Sequence, residues 1–306
     1  MTTRFGWLVS TREGAGDPDR RVGPLVDLGV EAERLGFDSV WVGDSPIARP
    51  RPDAIVTLAA IAARTVTCML GTAVLLPTLR HPVLAAHELA TLDNLADGRL
   101  VAGLGTGFPM PATRDQFDAL GVPYGDRIAR FEAAVTTMRD LWRGAGPVEL
   151  EPRPHRDGGP PLWFTGTALG AIRRAGRIAD GWLPYPPDPD TYRSGADELE
   201  RHAAAAGRPR PTLGLYATVA VSDDTRRARR ELDDRISRYY GVPSELVGRH
   251  QALFAGTADD VAAWLQRYVD AGAEHVVIRA AAADQREALA RVAADVLPRL
   301  RPVAVA

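Results

Sequence analysis

Lysine is missing from this chain: all 37 basic residues among its 306 are arginine. That absence excludes a Schiff-base lysine, a pyridoxal-phosphate anchor, a P-loop lysine and a lysine general base. Arginine stays protonated, so it binds anions but does not accept protons. Cysteine is nearly missing as well. Cys68 stands alone and leaves neither a disulfide nor a thiolate cluster for a metal. The six histidines are scattered, with no HxH and no HExxH spacing, which argues against a zinc hydrolase. The longest apolar runs, near 54–63 and 68–76, fall short of the ~20 residues a membrane helix needs. The opening MTTRFGWLVSTREG lacks the apolar region of a signal peptide. A cytoplasmic protein with no membrane partner is therefore expected. Excess charge is lacking too, since 37 − 39 gives −2 with no block of one sign. Nothing points to nucleic acid.

What is present is alternation. Short β-like runs (5–10, 38–43, 69–76, 99–105, 161–165, 181–185, 213–221 and 275–279) are separated by amphipathic helical stretches. A helix–Gly–strand unit recurs at 31–42, 175–185 and 269–278, with glycine where a helix must end before a strand begins. Pro24 and Pro82 open helices, and Thr257 with Asp260 has the spacing of a capping box. Eight βα units with right-handed crossovers predict an α/β chain folded as a single (β/α)8 TIM barrel, one domain over 1–306. A doubly wound open sheet is the alternative. Three segments break the rhythm: 107–126 after the fourth strand, 145–160 before the fifth, and 241–256 between the seventh and eighth.

Barrel active sites lie at the C-terminal ends of the strands. The residues expected there include Ser10, Asp44, Ser45, Val74, Thr106, Gly107, Thr165, Gly166, Thr167, Tyr185 and Arg279. Asp44 is the only carboxylate among them, and no histidine appears. Neither the two carboxylates of a glycosidase nor the base and metal ligands of an enolase-like site are present. Glycine and threonine instead suit the approach of a large flat or phosphorylated ligand, with a cofactor carrying the reaction. Thr165-Gly166-Thr167 precedes a helix, where free amides face an anion; an ordinary N-cap turn reads the same way. Gly103-Leu-Gly105-Thr-Gly107 is half of a dinucleotide fingerprint, but Phe108-Pro109 follows where a helix should. Arg80-His81-Pro82 is either an anion site or a plain helix cap. Cys68 and Trp7, Trp41, Trp163 and Trp182 read as core.

Several stretches, in this order and spacing, resemble the luciferase-like monooxygenase family. They are AERLGFDSVWVGD at 32–44 with its flanks, LGTAVLLPTLRHPVLAAHELATLDNLADGRLVAGLGTGF at 70–108, RIARFEAAVTTMRDLW at 127–142, PPLWFTGTALGAIRRAGRIADGWLPY at 160–185 and GTADDVAAWLQRYVDAGAEHVVI at 256–278. The resemblance covers nearly the whole chain and implies an eight-stranded barrel that binds a flavin or deazaflavin across its strand ends. It implies cofactor contacts at Asp44, Ala73, Val74, Thr106 and Gly107, a phosphate near Thr165, Gly166 and Thr167, and a non-proline cis peptide at Ala73–Val74. The family's deazaflavin-dependent sugar-phosphate and alcohol dehydrogenases carry a histidine after the aspartate and a glutamate after the GTG-like turn. Here Ser45 and Phe108 stand instead. The leading expectation is an FMN-dependent monooxygenase of a small organic substrate. It would use molecular oxygen, with a partner flavin reductase or NAD(P)H supplying electrons. The alternatives are hydride transfer with the 8-hydroxy-5-deazaflavin coenzyme (F420 type) and a non-catalytic flavin-binding protein. Asp44 and Tyr185 are the catalytic candidates, no metal is expected, and related proteins suggest a homodimer.

Overall fold

The computed structural model describes residues 2–12, 21–48, 51–146 and 148–300. Its strands are β1 (Arg4–Val9), β2 (Ser39–Val42), β3 (Met69–Thr72), β4 (Leu100–Leu104), β5 (Leu162–Phe164), β6 (Gly181–Trp182), β7 (Thr212–Val221), β8 (Leu253–Gly256) and β9 (His275–Ala280). The hydrogen-bonded order is β6-β5-β4-β3-β2-β1-β9-β7-β8, and β6 also pairs with β7. Eight strands thus close a parallel ring of the (β/α)8 class, and β8 lies outside that ring on β7. β2, β4 and β9 are buried along their whole length. Continuous apolar runs such as these mark parallel strands covered on both faces.

β8 corrects the sequence reading, which left 241–256 irregular. β7 is ten residues long, and one of its edges is covered in two pieces. β6 pairs with Thr212 and Leu213, while β8 pairs with Thr218 to Val221. The short β6 leaves amides and carbonyls of β7 that need partners, and β8 supplies them. Its sequence, LFAG, is too short to show a period. The third strand is also shorter than expected. It ends at Thr72 rather than Leu76, and the peptide Ala73–Val74 is cis, the position expected from the family resemblance.

The helices are α1 (Gly23–Arg34), α2 (Ala54–Ala62), α3 (Pro82–Leu95), α4 (Pro111–Ala119), α5 (Arg127–Trp142), α6 (Leu169–Ile178), α7 (Pro189–Ala205), α8 (Thr225–Tyr240), α9 (Ser244–Gly248), α10 (Ala258–Asp270) and α11 (Gln285–Arg291). Local chemistry places many of their ends. The carboxylates of Asp53, Asp224 and Asp284 accept the first free amides of α2, α8 and α11. Thr257 and Asp260 form the expected capping box of α10. Proline opens α3, α4 and α7. α4 and α9 fill parts of the segments read as irregular. No helix among the described residues is long and apolar enough to cross a membrane.

Contacts gather into two compact units. The first comprises 1–10, 28–40 and 163–306, and the second 11–27 and 41–162. An aromatic chain runs through the first: Trp182 stacks on Tyr192, which meets Tyr268 edge-on, which meets Trp264, which stacks on Phe254. The Tyr192 and Tyr268 hydroxyls donate to the carbonyls of Gly214 and Pro186, so these buried phenols are satisfied. In the second unit Trp41 fills the space beside Gly71, where a Cβ would fall 2.1 Å from the indole ring. Trp142 donates its indole N–H to the Ala86 carbonyl. Trp7, Trp41, Trp163, Trp182 and Cys68 are all buried, as the sequence reading expected.

Candidate functional site

The strand ends of the second unit are built around a sharp turn after β3. The Ala73 amide donates to Val42 O, Leu75 donates to Gly103 O, and Gly105 donates back to Leu75 O. This irregular stretch is therefore laced to the ends of β2 and β4. Gly103 makes the approach possible, since a Cβ there would lie 1.9 Å from Thr72 O. Ala73 and Val74 stay half-buried at the strand end, as do Thr106 and Gly107. Gly107 has φ +84°, a conformation glycine adopts without strain.

Asp44 follows β2, and its side chain is almost wholly buried. Its Oδ2 accepts the Leu76 amide at 3.1 Å and Arg80 Nη1 at 2.7 Å, while Oδ1 accepts Arg80 Nη2 at 3.3 Å. Arg80 also reaches Asp53 Oδ2 at 3.0 Å, the carboxylate that caps α2. Burial works against the Arg80 charge, but the hydrogen bonds and charges of Asp44 and Asp53 outweigh it and raise its pKa above the ordinary value. So Asp44 acts as an acceptor that ties the turn to α2 and α3. Ser45 donates to Gln116 Oε1 at 3.3 Å, and the same oxygen accepts the Ile47 and Ala48 amides at 2.9 Å each. His81 caps α3 by accepting the Val83 amide, the plain reading of Arg80-His81-Pro82.

In the first unit, Thr165, Gly166 and Thr167 follow β5 and lead into α6. Thr165 donates to Leu183 O, and Trp182 donates its indole N–H to Gly166 O, both at 2.9 Å. Gly166 has φ +112°, and a Cβ on it would sit 2.8 Å from that of Ala171. Ala168, the residue before α6, has no side-chain cap. Thr167 to Gly170 are exposed, and among the described residues the Leu169 and Gly170 amides have no hydrogen-bond partner. A bare helix N-terminus beside a glycine is suited to an anion.

Tyr185, beyond β6, is half-buried, and its carbonyl accepts the Ala252 amide at 3.0 Å. Burial first, and then Tyr240, pushes its pKa up to about 12, so the phenol stays protonated. Its ring meets Tyr216 edge-on, with centroids 6.5 Å apart. Arg279, at the end of β9, donates Nε–H to Ser10 Oγ at 3.3 Å and lays its guanidinium over the Tyr239 ring at 4.0 Å. Tyr216, Tyr239, Tyr240 and Gln116 escaped the strand-end inventory. Strand parity was the one available signal, because Tyr216 shares a face of β7 with Thr218 and Ala220. Among the described residues, no group of three His, Cys, Asp or Glu side chains is placed to hold a metal ion.

Comparison with known proteins agrees in fold and length. A profile described as luciferase-like monooxygenase matches residues 3–296. The F420-dependent glucose-6-phosphate dehydrogenase of Kineococcus radiotolerans is 30% identical, covering 92% of this chain and 94% of that protein. The enzyme of the same name from Beutenbergia cavernae is 32% identical over 90% of this chain and 93% of its own length. Among solved structures, the monooxygenase RslO1 from Streptomyces bottropensis superposes with a TM-score of 0.81 at 25% identity, covering 96% of this chain and 99% of that one. The two dehydrogenases are named for F420, the coenzyme of the alternative expectation, and not for FMN. This chain belongs to the luciferase-like monooxygenase family.

Proposed function

We propose that this chain is an oxidoreductase that uses the F420-type deazaflavin coenzyme to reduce an unsaturated bond in a small organic substrate. The observation that carries the reading is that the expected strand-end residues, among those described, offer binding groups but no carboxylate or histidine free to act as a base. Asp44, the expected carboxylate, has both oxygens engaged by Arg80 and the Leu76 amide. Relatives named as F420-dependent dehydrogenases support the cofactor class. Ser45 and Phe108, where the family's dehydrogenases carry histidine and glutamate, argue against oxidation of a sugar phosphate or alcohol.

Within each compact unit, the residues present suit a part of such a coenzyme. The amides before and within the first turn of α6, with Gly166 leaving room beside them and the Thr167 hydroxyl exposed, would hold its phosphate. Val74 and Ala73 would support a ring, and Thr106 and Gly107 would meet its polar edge. Asp44 keeps that support in place through Arg80 and Leu76. Tyr185, held protonated by burial, offers a hydrogen to a substrate oxygen. When bound in reduced form, the coenzyme supplies the hydride. A second reading, an FMN-dependent monooxygenase fed by a reductase or NAD(P)H, draws support from the likeness to RslO1. A binder without turnover is the third. Self-association through α2 and α3 into a homodimer belongs to the same proposal, because both helices present apolar side chains outward.

Equilibrium titration with F420 and with FMN, followed by absorbance during turnover over a substrate panel, tests the reading. F420 binds at least tenfold more tightly than FMN, and reduced F420 is consumed without oxygen. Tight FMN binding with oxygen consumption would transfer the assignment to the monooxygenase. Gly166→Asp places a carboxylate beside the bare amides and strains the φ +112° backbone. Its F420 affinity falls by roughly a hundredfold or more, about 2.7 kcal/mol. Unchanged affinity in a folded variant removes the phosphate assignment.

A further inference from the structure

Tyr216 sits in the middle of β7 with its amide donating to Pro184 O at 2.8 Å and Val277 beside it in register. Its neighbours Leu215 and Ala217 are 0% exposed, whereas Tyr216 is only half-buried. Because both edges of the strand are paired there, the surface Tyr216 leaves uncovered belongs to its side chain. Three more half-buried phenols lie near it: Tyr185 in ring contact, and Tyr239 and Tyr240 close enough to act on it electrostatically. Tyr185 meets Tyr216 edge-on at 83°. Tyr239 and Tyr240 end α8 with centroids 4.8 Å apart, and Tyr240 donates its hydroxyl to Gln251 Oε1 at 2.9 Å. Arg279, buried itself, covers Tyr239.

These groups differ in what they still offer. The Tyr240 hydrogen is committed to Gln251. The Tyr185 hydroxyl has no hydrogen-bond partner among the described residues, so it is a donor left for a ligand. Ring faces and edges with centroids 4.8 and 6.5 Å apart favour flat π systems, and they offer little to a puckered, polyhydroxylated molecule. The phenol rings are electron-rich, which favours an electron-poor partner, and the Arg279 guanidinium already takes one face of Tyr239.

We propose that Tyr185, Tyr216, Tyr239 and Tyr240, closed off by Arg279, form a recognition cleft for a planar conjugated carbonyl compound of the quinone or enone class, whose carbonyl oxygen takes the Tyr185 hydroxyl hydrogen. The inference deepens the reductase reading by naming its substrate class and rests on it for the reaction, but the binding stands on the geometry of these residues alone.

The test uses the full chain without cofactor, titrated calorimetrically with 1,4-naphthoquinone and with its saturated counterpart, decalin-1,4-dione. Covalent attachment through a lysine or an exposed thiol does not arise, since the chain has no lysine and Cys68 is buried. Naphthoquinone binds at least tenfold more tightly than the saturated dione. Tyr216→Leu weakens it about tenfold by removing the ring contact. The near-isosteric Tyr185→Phe weakens it about fivefold by removing one hydrogen bond. Equal affinity for the two diones overturns the proposal, and so does undiminished binding in a folded Tyr185→Phe variant. F420 titration of the same preparation separates the two readings. Tyrosine-dependent naphthoquinone binding without F420 binding removes the cofactor reading and leaves this one, whereas F420 binding without discrimination between diones removes this one alone.

Discussion

Single side chains here are mostly bound to fixed tasks. Asp44 is the clearest case: a carboxylate at a strand end suggests proton transfer, but its burial against Arg80 and the Leu76 amide makes it a fastening. The pairing joins residues 36 apart in the chain, so no local spacing foretold it. His275 is held in one state for another reason. It is buried beside Ser39, with Nε2 2.7 Å from Oγ, and burial first and the Arg4 charge second push its pKa down to about 3. Unfolding restores the ordinary value near 6.5. Below that value the unfolded chain takes up a proton that the folded chain refuses, so the neutral histidine's contribution is complete above pH 6.5 and is lost progressively as pH falls toward 3. The slope is about 1.4 kcal/mol per pH unit. Urea unfolding therefore shows a wild-type loss of roughly 2 kcal/mol between pH 6.5 and 5 that His275→Asn lacks. An identical loss in both proteins would remove the histidine as its source.

At the scale of elements, glycines decide how closely strands approach. Gly103 in β4 faces Thr72 O of β3, and Thr72 Oγ1 in turn donates to Gly103 O at 2.7 Å. Gly103→Ala places a methyl 1.9 Å from a backbone oxygen that no rotamer change can move. The variant loses about 3 kcal/mol or more, read as a lower urea midpoint at unchanged slope. A loss under about 1 kcal/mol would show that the two strands can part at little cost. Helices were the more legible elements. α3 runs from Pro82 to Leu95, and Pro82 marked its start in the sequence. α1 lies within one residue of expectation because proline and Gly36 punctuate it. β8 and α4 were not legible. Four residues of half-buried strand carry too little pattern, and α4 starts after Phe108-Pro109, which reads as loop.

For the molecule as a whole, the remaining proposal concerns self-association. Val56 on α2 is 69% exposed and Leu84 on α3 is 57% exposed, within helices that are otherwise largely apolar. Apolar side chains repeated on neighbouring helices of one unit are suited to an isologous contact. Sedimentation equilibrium gives a mass about twice the 32.9 kDa chain, and Val56→Glu with Leu84→Glu returns it to the monomer value. A wild-type monomer at micromolar concentration overturns the dimer.

Strand and helix alternation, the caps, the glycines at helix ends and the exclusion of lysine chemistry were all present in the residues themselves. Each depends on side-chain shape, backbone freedom or hydrogen bonding within a few positions, and such preferences need no distant partner. The family likeness was readable too, because long segments preserve their order and spacing. Tertiary structure alone decided which side chains meet. It set Arg80 against Asp44, brought the Tyr216 ring edge-on to Tyr185, and covered the exposed edge of β7 with β8. These are contacts between elements distant in sequence, and they exist only once the parallel strands pair and bring those elements together.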